Sequence, residues 1–177
     1  IEPVRGSRLV RITVVSPDAS GTFSRIAGVL SLYGLDVVTA QAHSDEGGMA
    51  ASQFRIVVPD GGINWRAVKA DLVRSLEHRL AIEARLAERA ATYRRRRRTQ
   101  AAAPGPPSVV FDDGASSNAT VVVVRAGTKI GILHRISKAL GELGLDIRHA
   151  TVQTIGMEVV DTFYVRADGK LVTDATY

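Results

Sequence analysis

The stretch YGLDVVTAQAHS at Tyr33–Ser44 is nearly rewritten as LGLDIRHATVQT at Leu143–Thr154. The match extends upstream without a gap, GTFSRIAGVL (Gly21–Leu30) falling on GILHRISKAL (Gly131–Leu140). Downstream, SQFRI (Ser52–Ile56) falls on DTFYV (Asp161–Val165) once a slightly longer turn is allowed in the first copy. Agreement over three consecutive elements at a nearly constant offset marks an internal repeat, and a repeat sets the architecture before any single element does.

The elements of the first copy can be read in turn. RLVRITVVS (Arg8–Ser16) is rich in β-branched residues and alternates in part, which predicts a strand. PDASGT supplies a turn, and Ser20 is placed to cap a helix in which Phe23, Ile26, Ala27, Leu30 and Tyr33 recur at helical spacing. Gly34 suits the end of that helix. LDVVTAQAHS and AASQFRIVV read as a hairpin around the tight turn DEGGM. Asn64 is placed to cap one long helix with a stripe of Trp65, Val68, Leu72, Leu76 and Leu80. SVVFDD is a short strand, and Val109–Phe111 are expected to complete the first copy's sheet.

The resulting order, β-α-β-β-α-β, is the ferredoxin-like split βαβ. The second copy repeats it as strand Ala119–Ala126, helix Gly131–Leu143 and strands DIRHATVQT and EVVDTFYVRA, without the second helix and last strand. The expected fold class is α+β, two ferredoxin-like units in tandem with the second incomplete. Residues 1–7 read as a leader, 8–93 as the first unit, 94–118 as a basic, Pro-rich connector and 119–177 as the second unit. The chain opens on Ile1 rather than Met and its second copy is short, so a truncated segment of a longer protein is expected. Each copy alone buries little, so a pseudo-dimer of the two, or a homodimer of the chain, is expected to cover the sheet edges.

Composition narrows the function classes. Aromatics are only 5% of the 177 residues, so the cores must be built from aliphatic side chains. The absence of cysteine excludes disulfides and thiolate metal sites and fits a cytoplasmic location. No apolar run approaches membrane-spanning length, so no membrane partner is expected. The net charge of +5 is matched by the five arginines of Arg94–Arg98 alone, so the basic balance is local and does not argue for nucleic acid. That run reads either as a solvated helix end or connector, or as a contact for nucleic acid or an acidic partner surface. His43, His78, His134 and His149 are scattered, with no metal-ligand spacing.

A unit of this size, with Gly in the turn after strand one and Gly-Leu-Asp opening strand two, resembles the ACT domain family of small-molecule regulatory modules. The run from RAGTKIGILHRISKAL to VVDTFYV and DGKL is similar, more specifically, to the last ACT domain of the bifunctional uridylyltransferase/uridylyl-removing enzymes, which modify the PII signalling protein. The first copy, its Arg-rich stretch and PSVVFDDGASSNATVVVV resemble the penultimate one and its connector. This resemblance implies an amino acid effector, most simply glutamine, and allosteric control of nitrogen metabolism. It also implies a longer parent enzyme that uses Mg and a nucleoside triphosphate. Within this sequence the only Gly-Ser is Gly6-Ser7, without the paired aspartates of a nucleotidyltransferase, and no His-Asp pair of an HD hydrolase occurs. No catalytic site and no cofactor are therefore expected in the segment itself.

The candidate site lies at the two turns after the first strands, Asp18, Ser20, Gly21 and Thr22 in one copy and Lys129, Ile130, Gly131 and Ile132 in the other. A helix N-terminus offers amides and a positive dipole end to a carboxylate, Gly permits close approach, and Asp18 suits an α-ammonium. The plain alternative is a turn in which Asp18 and Ser20 only cap the helix. Thr128 stands where the first copy has Asp18, so the second turn would bind through backbone alone. Asp36 and Asp146 open the second strands and read either as ligand contacts across the junction of the copies or as turn residues. Two other readings are the regulatory tail of another amino-acid-controlled enzyme and an RRM-like RNA-binding module. The second lacks the Gly-flanked aromatic motif that stacks bases.

Overall fold

The structure, a computed structural model, describes residues 1–4, 6–45, 47–96, 105–112, 114–155, 157–167 and 170, the side chains of 94–96 excepted. The Arg94–Arg98 side chains, the stretch 97–104 and most of DGKLVTDATY lie outside the described residues. The first copy forms β1 (Glu2–Pro3), β2 (Leu9–Pro17), α1 (Thr22–Leu32), β3 (Asp36–Ser44), β4 (Met49–Val57), α2 (Trp65–Leu76) and α3 (Ile82–Arg96). The remainder forms β5 (Ser108–Asp112), β6 (Thr120–Gly127), α4 (Ile132–Glu142), β7 (Leu145–Ile155) and β8 (Glu158–Ala167). The fold is α+β. One eight-stranded antiparallel sheet runs in the order β1-β2-β4-β3-β7-β8-β6-β5, and the two copies meet where β3 pairs with β7.

The repeat is visible in the core. Phe54 and Phe163, equivalent in the two copies, are both fully buried, as are Ile56 and Val165, and Ile12 and Val122. Strand alternation sends these side chains to one face of the sheet. There Ile26, Val29 and Leu30 of α1 and Leu133 and Leu140 of α4 join them in one cluster. Phe23 tilts against Phe54 with ring centroids 5.1 Å apart. Gly34 ends α1 as its position suggests. Its φ of 69° is left-handed, and the Leu35 amide donates back to the Leu30 carbonyl at 3.0 Å.

Three expectations are corrected. The long helix is two. Its start is as read, Asn64 accepting from the Ala67 amide at 3.1 Å, but α2 stops at Leu76 and His78 turns to a φ of +59°. The Arg79 amide donates to the Arg74 carbonyl at 2.7 Å across the break, and Arg25 Nη2 lies 2.7 Å from His78 Nδ1. The bend returns α3 over α1 instead of letting a straight helix project into solvent. Ser20 does not cap α1: Gly21 holds the N-cap position at φ 81°, and no side chain caps the helix. Val109–Phe111 do not complete the first copy's sheet. They pair with β6 at the far edge, and β1 holds the edge beside β2. Closing a hairpin through 113–119 orders less chain than carrying the strand back across the sheet.

α3 is fixed by a polar centre and two apolar anchors. Asp71, 5% exposed on α2, accepts from Arg85 Nη1 at 2.7 Å and from the Tyr33 hydroxyl at 3.0 Å. Burial alone would push its carboxyl up, but Arg85, Tyr33 and Arg74 together hold it below the usual value. Ile82 and Leu86 supply the buried apolar contacts.

Candidate functional site

The chain leaves β2 through Pro17, and the Asp18 amide donates to the Gly48 carbonyl at 2.8 Å, tying the turn to the β3–β4 hairpin. Gly21 then reverses the backbone in the left-handed region, which glycine enters without strain. Ser24 Oγ donates back to the Gly21 carbonyl at 2.9 Å and so folds over the turn. No side chain caps α1 and the Thr22 amide turns back to the Ala19 carbonyl at 3.2 Å, so the next amides of the first turn, those of Phe23 and Ser24, are left to whatever occupies the space in front of them.

That space is a cleft of about 300 Å³ at the junction of the two copies. Its walls are the Asp18–Ser24 turn on one side, and Ser137, Gly141 and Gly144–Ile147 of the other copy opposite. Its floor is Ala42, Ser44, Ala50 and Ser52. Of the residues singled out from sequence, Asp18, Ser20, Gly21, Thr22 and Asp146 are brought together here. Asp36, Lys129, Ile130, Gly131 and Ile132 are not; by the repeat they hold the equivalent places across the β3–β7 seam, Asp36 in the first copy and the others in the second. Asp146 keeps Arg148 Nη1 at 2.9 Å, so one of the two carboxylates of the cleft carries its own cation.

The floor residues escaped the sequence reading, although a signal was present. Ala42 and Ser44, and Ala50 and Ser52, are small side chains at alternate positions of neighbouring strands, all on the core-facing side. Four small residues under a glycine turn leave a hollow that larger side chains would fill. Their counterparts in the second copy are Val152, Thr154, Val159 and Asp161.

The arrangement can hold a small zwitterion. The α1 N-terminus favours a carboxylate, Asp18 favours an ammonium, and the hydroxyls of Ser20, Ser44 and Ser52 offer both donors and acceptors. A wider depression of about 400 Å³ lies between α3, Leu32 and Ile130, but it gathers Arg85, Glu88 and Arg89 and no helix N-terminus. Among the described residues no group of three His, Asp or Glu side chains could hold a metal ion, and no helix is long and apolar enough to cross a membrane.

The gly-turn cleft sits in a chain with clear relatives. No family model matches the sequence. The bifunctional uridylyltransferase/uridylyl-removing enzyme of Streptomyces coelicolor is 39% identical over 168 residues, covering 90% of this chain and 20% of the enzyme. Those of Novosphingobium aromaticivorans and Gluconobacter oxydans are 34% and 35% identical, over 92% and 93% of this chain and 18% and 17% of theirs. The chain thus spans about a fifth of the length of the curated relatives it matches. Over nearly its whole length it is homologous to one segment of the bifunctional uridylyltransferase/uridylyl-removing enzymes.

Proposed function

We propose that this chain is the effector-sensing segment of a uridylyltransferase/uridylyl-removing enzyme, an ACT pair that binds a small amino acid, glutamine in the first instance. The observation that carries the reading is the position of the cleft. It opens between the copies, so a bound molecule touches the Gly21 turn of one and the Gly144–Ile147 segment of the other. A ligand so placed prefers one mutual arrangement of the copies, and that preference is the free energy available to bias a distant activity. In the parent enzyme the biased activities would be uridylyl transfer to the PII protein and its removal, with Mg and the nucleoside triphosphate held by other domains in the cytoplasm. The effector's carboxylate would rest on the α1 amides and its ammonium on Asp18, a bond charged on both sides.

Calorimetric titration of the chain with glutamine, glutamate and a panel of other amino acids tests this. Glutamine should bind, and both Asp18→Ala and Gly21→Val should weaken binding at least tenfold while the folded spectrum is kept. Equal heats for every amino acid, or titrations unchanged in both variants, would remove the cleft as the effector site.

A further inference from the structure

The relation that pairs the two copies carries Gly21 onto Gly131, Ser52 onto Asp161, and Gly144–Asp146 onto Gly34–Asp36. A second cleft is therefore due on the other side of the β3–β7 seam, and α3 lies there instead. A β-carbon at Gly131 would stand 2.9 Å from Leu86 Cδ1, and one at Gly34 2.7 Å from Arg89 Nη2. At the open cleft the equivalent test meets only Ser24 Oγ at 3.7 Å for Gly21, and nothing within 4 Å for Gly144. Among the described residues the second copy has no helix equivalent to α3, so nothing matches this cover over the first cleft.

By the same relation, the place that Ser52 holds in the open cleft falls in the second copy to Asp161, a group that the core does not need. Asp161 is fully buried on the core-facing side of β8, and neither of its carboxylate oxygens has a hydrogen-bond partner. Its cross-strand neighbours are Val124 and Val152, and Val159 and Phe163 flank it on the same face. Its counterpart Ser52 lines the open cleft. A buried carboxylate without a donor is costly to keep, and Ser52 shows that the fold itself does not require a carboxyl at this position. What such a group matches is a cation that arrives from outside.

We propose that the region between the Gly131 turn and Gly34–Asp36 is a second, covered ligand site, which takes a small zwitterion when α3 lifts, the ligand's primary ammonium pairing with the Asp161 carboxylate. The ligand's own carboxylate would meet the N-terminal amides of α4, which no side chain caps. Leu86 and Arg89 occupy the approach, so the ligand and α3 compete for it. α3 is held by contacts that can be broken one by one: Ile82 and Leu86, Arg85 on Asp71, and Glu83 on Lys138 at 2.9 Å. The ligand class rests on the reading of the open cleft as an amino acid site; the cover and the orphaned carboxylate do not.

Glutamine titrations of three chains decide the matter. The unaltered chain should bind one equivalent at micromolar to low millimolar concentration, the Leu86→Ala/Arg89→Ala variant two, and that variant with Asp161→Asn one. If Asp161→Asn leaves the stoichiometry and affinity of the Leu86→Ala/Arg89→Ala variant unchanged, the inference fails, whatever the open cleft does. No binding by the unaltered chain, with Asp161-dependent binding by the variant, would overturn the reading of the open cleft and support the covered site. Should the variant not fold, hydrogen exchange on the unaltered chain replaces it. Amides of 82–93 should exchange at least threefold faster at saturating glutamine, and an unchanged rate would overturn the proposal.

Discussion

Ala40 and Ala150, which hold the same place in the two copies, stand directly opposite each other across the β3–β7 ladder. Thr39 faces Thr151, the counterpart of Gln41, and Gln41 faces His149, the counterpart of Thr39, the self-complementary register of a two-fold dimer. Both alanines are buried, at 1% and 0% exposure, under the meeting of α1 and α4. Directly opposed side chains in such a ladder come within about 5 Å of each other.

That proximity makes the seam sensitive to volume. Ala40→Leu or Ala150→Leu should each destabilise the chain by about 1–3 kcal/mol through overpacking. The double variant should lose more than the sum, because the two side chains claim the same space. Urea unfolding monitored at Trp65 measures all three, and simple additivity would show that the residues do not share a packing site.

The two glycine turns should respond differently to the same substitution. Gly21→Ala and Gly131→Ala both place a β-carbon on a left-handed backbone, at a cost of about 1–2 kcal/mol in each. Only at Gly131 does the added carbon also meet Leu86. Gly131→Ala should therefore be the more destabilising by about 1 kcal/mol. In a Leu86→Ala background the gap should close, and a gap that persists would place the difference elsewhere.

Asp161 gives the stability a distinctive pH dependence. Burial pushes its carboxyl up to about 7, whereas in the unfolded chain it titrates near the ordinary Asp value. Between about pH 4 and 7 the folded state therefore holds more protons than the unfolded one, and stability contributed at this position falls as pH rises. Asp161→Asn should be more stable than the unaltered chain at pH 8, by up to a few kcal/mol, and the advantage should vanish near pH 4. Thermal melts across that range read the trend, and an advantage constant with pH would mean the carboxyl is not the titrating group.

Glu83 gives the opposite sign. A hydrogen bond from Lys138, then a backbone hydrogen bond, hold its carboxyl down at about 2. The stabilisation is present above the ordinary Glu value and is lost as pH falls from there towards 2. Both partners are substantially exposed and screened by solvent, so Lys138→Met should lower stability only slightly at pH 7. The gap between variant and unaltered chain should narrow between pH 4.5 and 2.5, which melts at matched ionic strength would show.

The repeat, the strand, helix and hairpin that open each copy, the Gly34 helix end and the Asn64 cap were all legible in the order of residues. Each of these follows from spacing among near neighbours, and near neighbours are fixed by the chain. The small residues Ala42, Ser44, Ala50 and Ser52 were legible in the same way, as an alternation of side chains too slight to fill the space beneath a glycine turn. Where the long helical pattern breaks was settled by packing in three dimensions, because His78 turns left-handed to bring α3 back over α1. Packing likewise decided that Val109–Phe111 join the second copy, that Leu86 closes over Gly131 while Gly21 stays open, and that Asp161 lies buried without a partner. These outcomes depend on which of several distant segments wins one place in the packing. That competition is settled by the volume and polarity of all the competitors at once, and no local spacing records it.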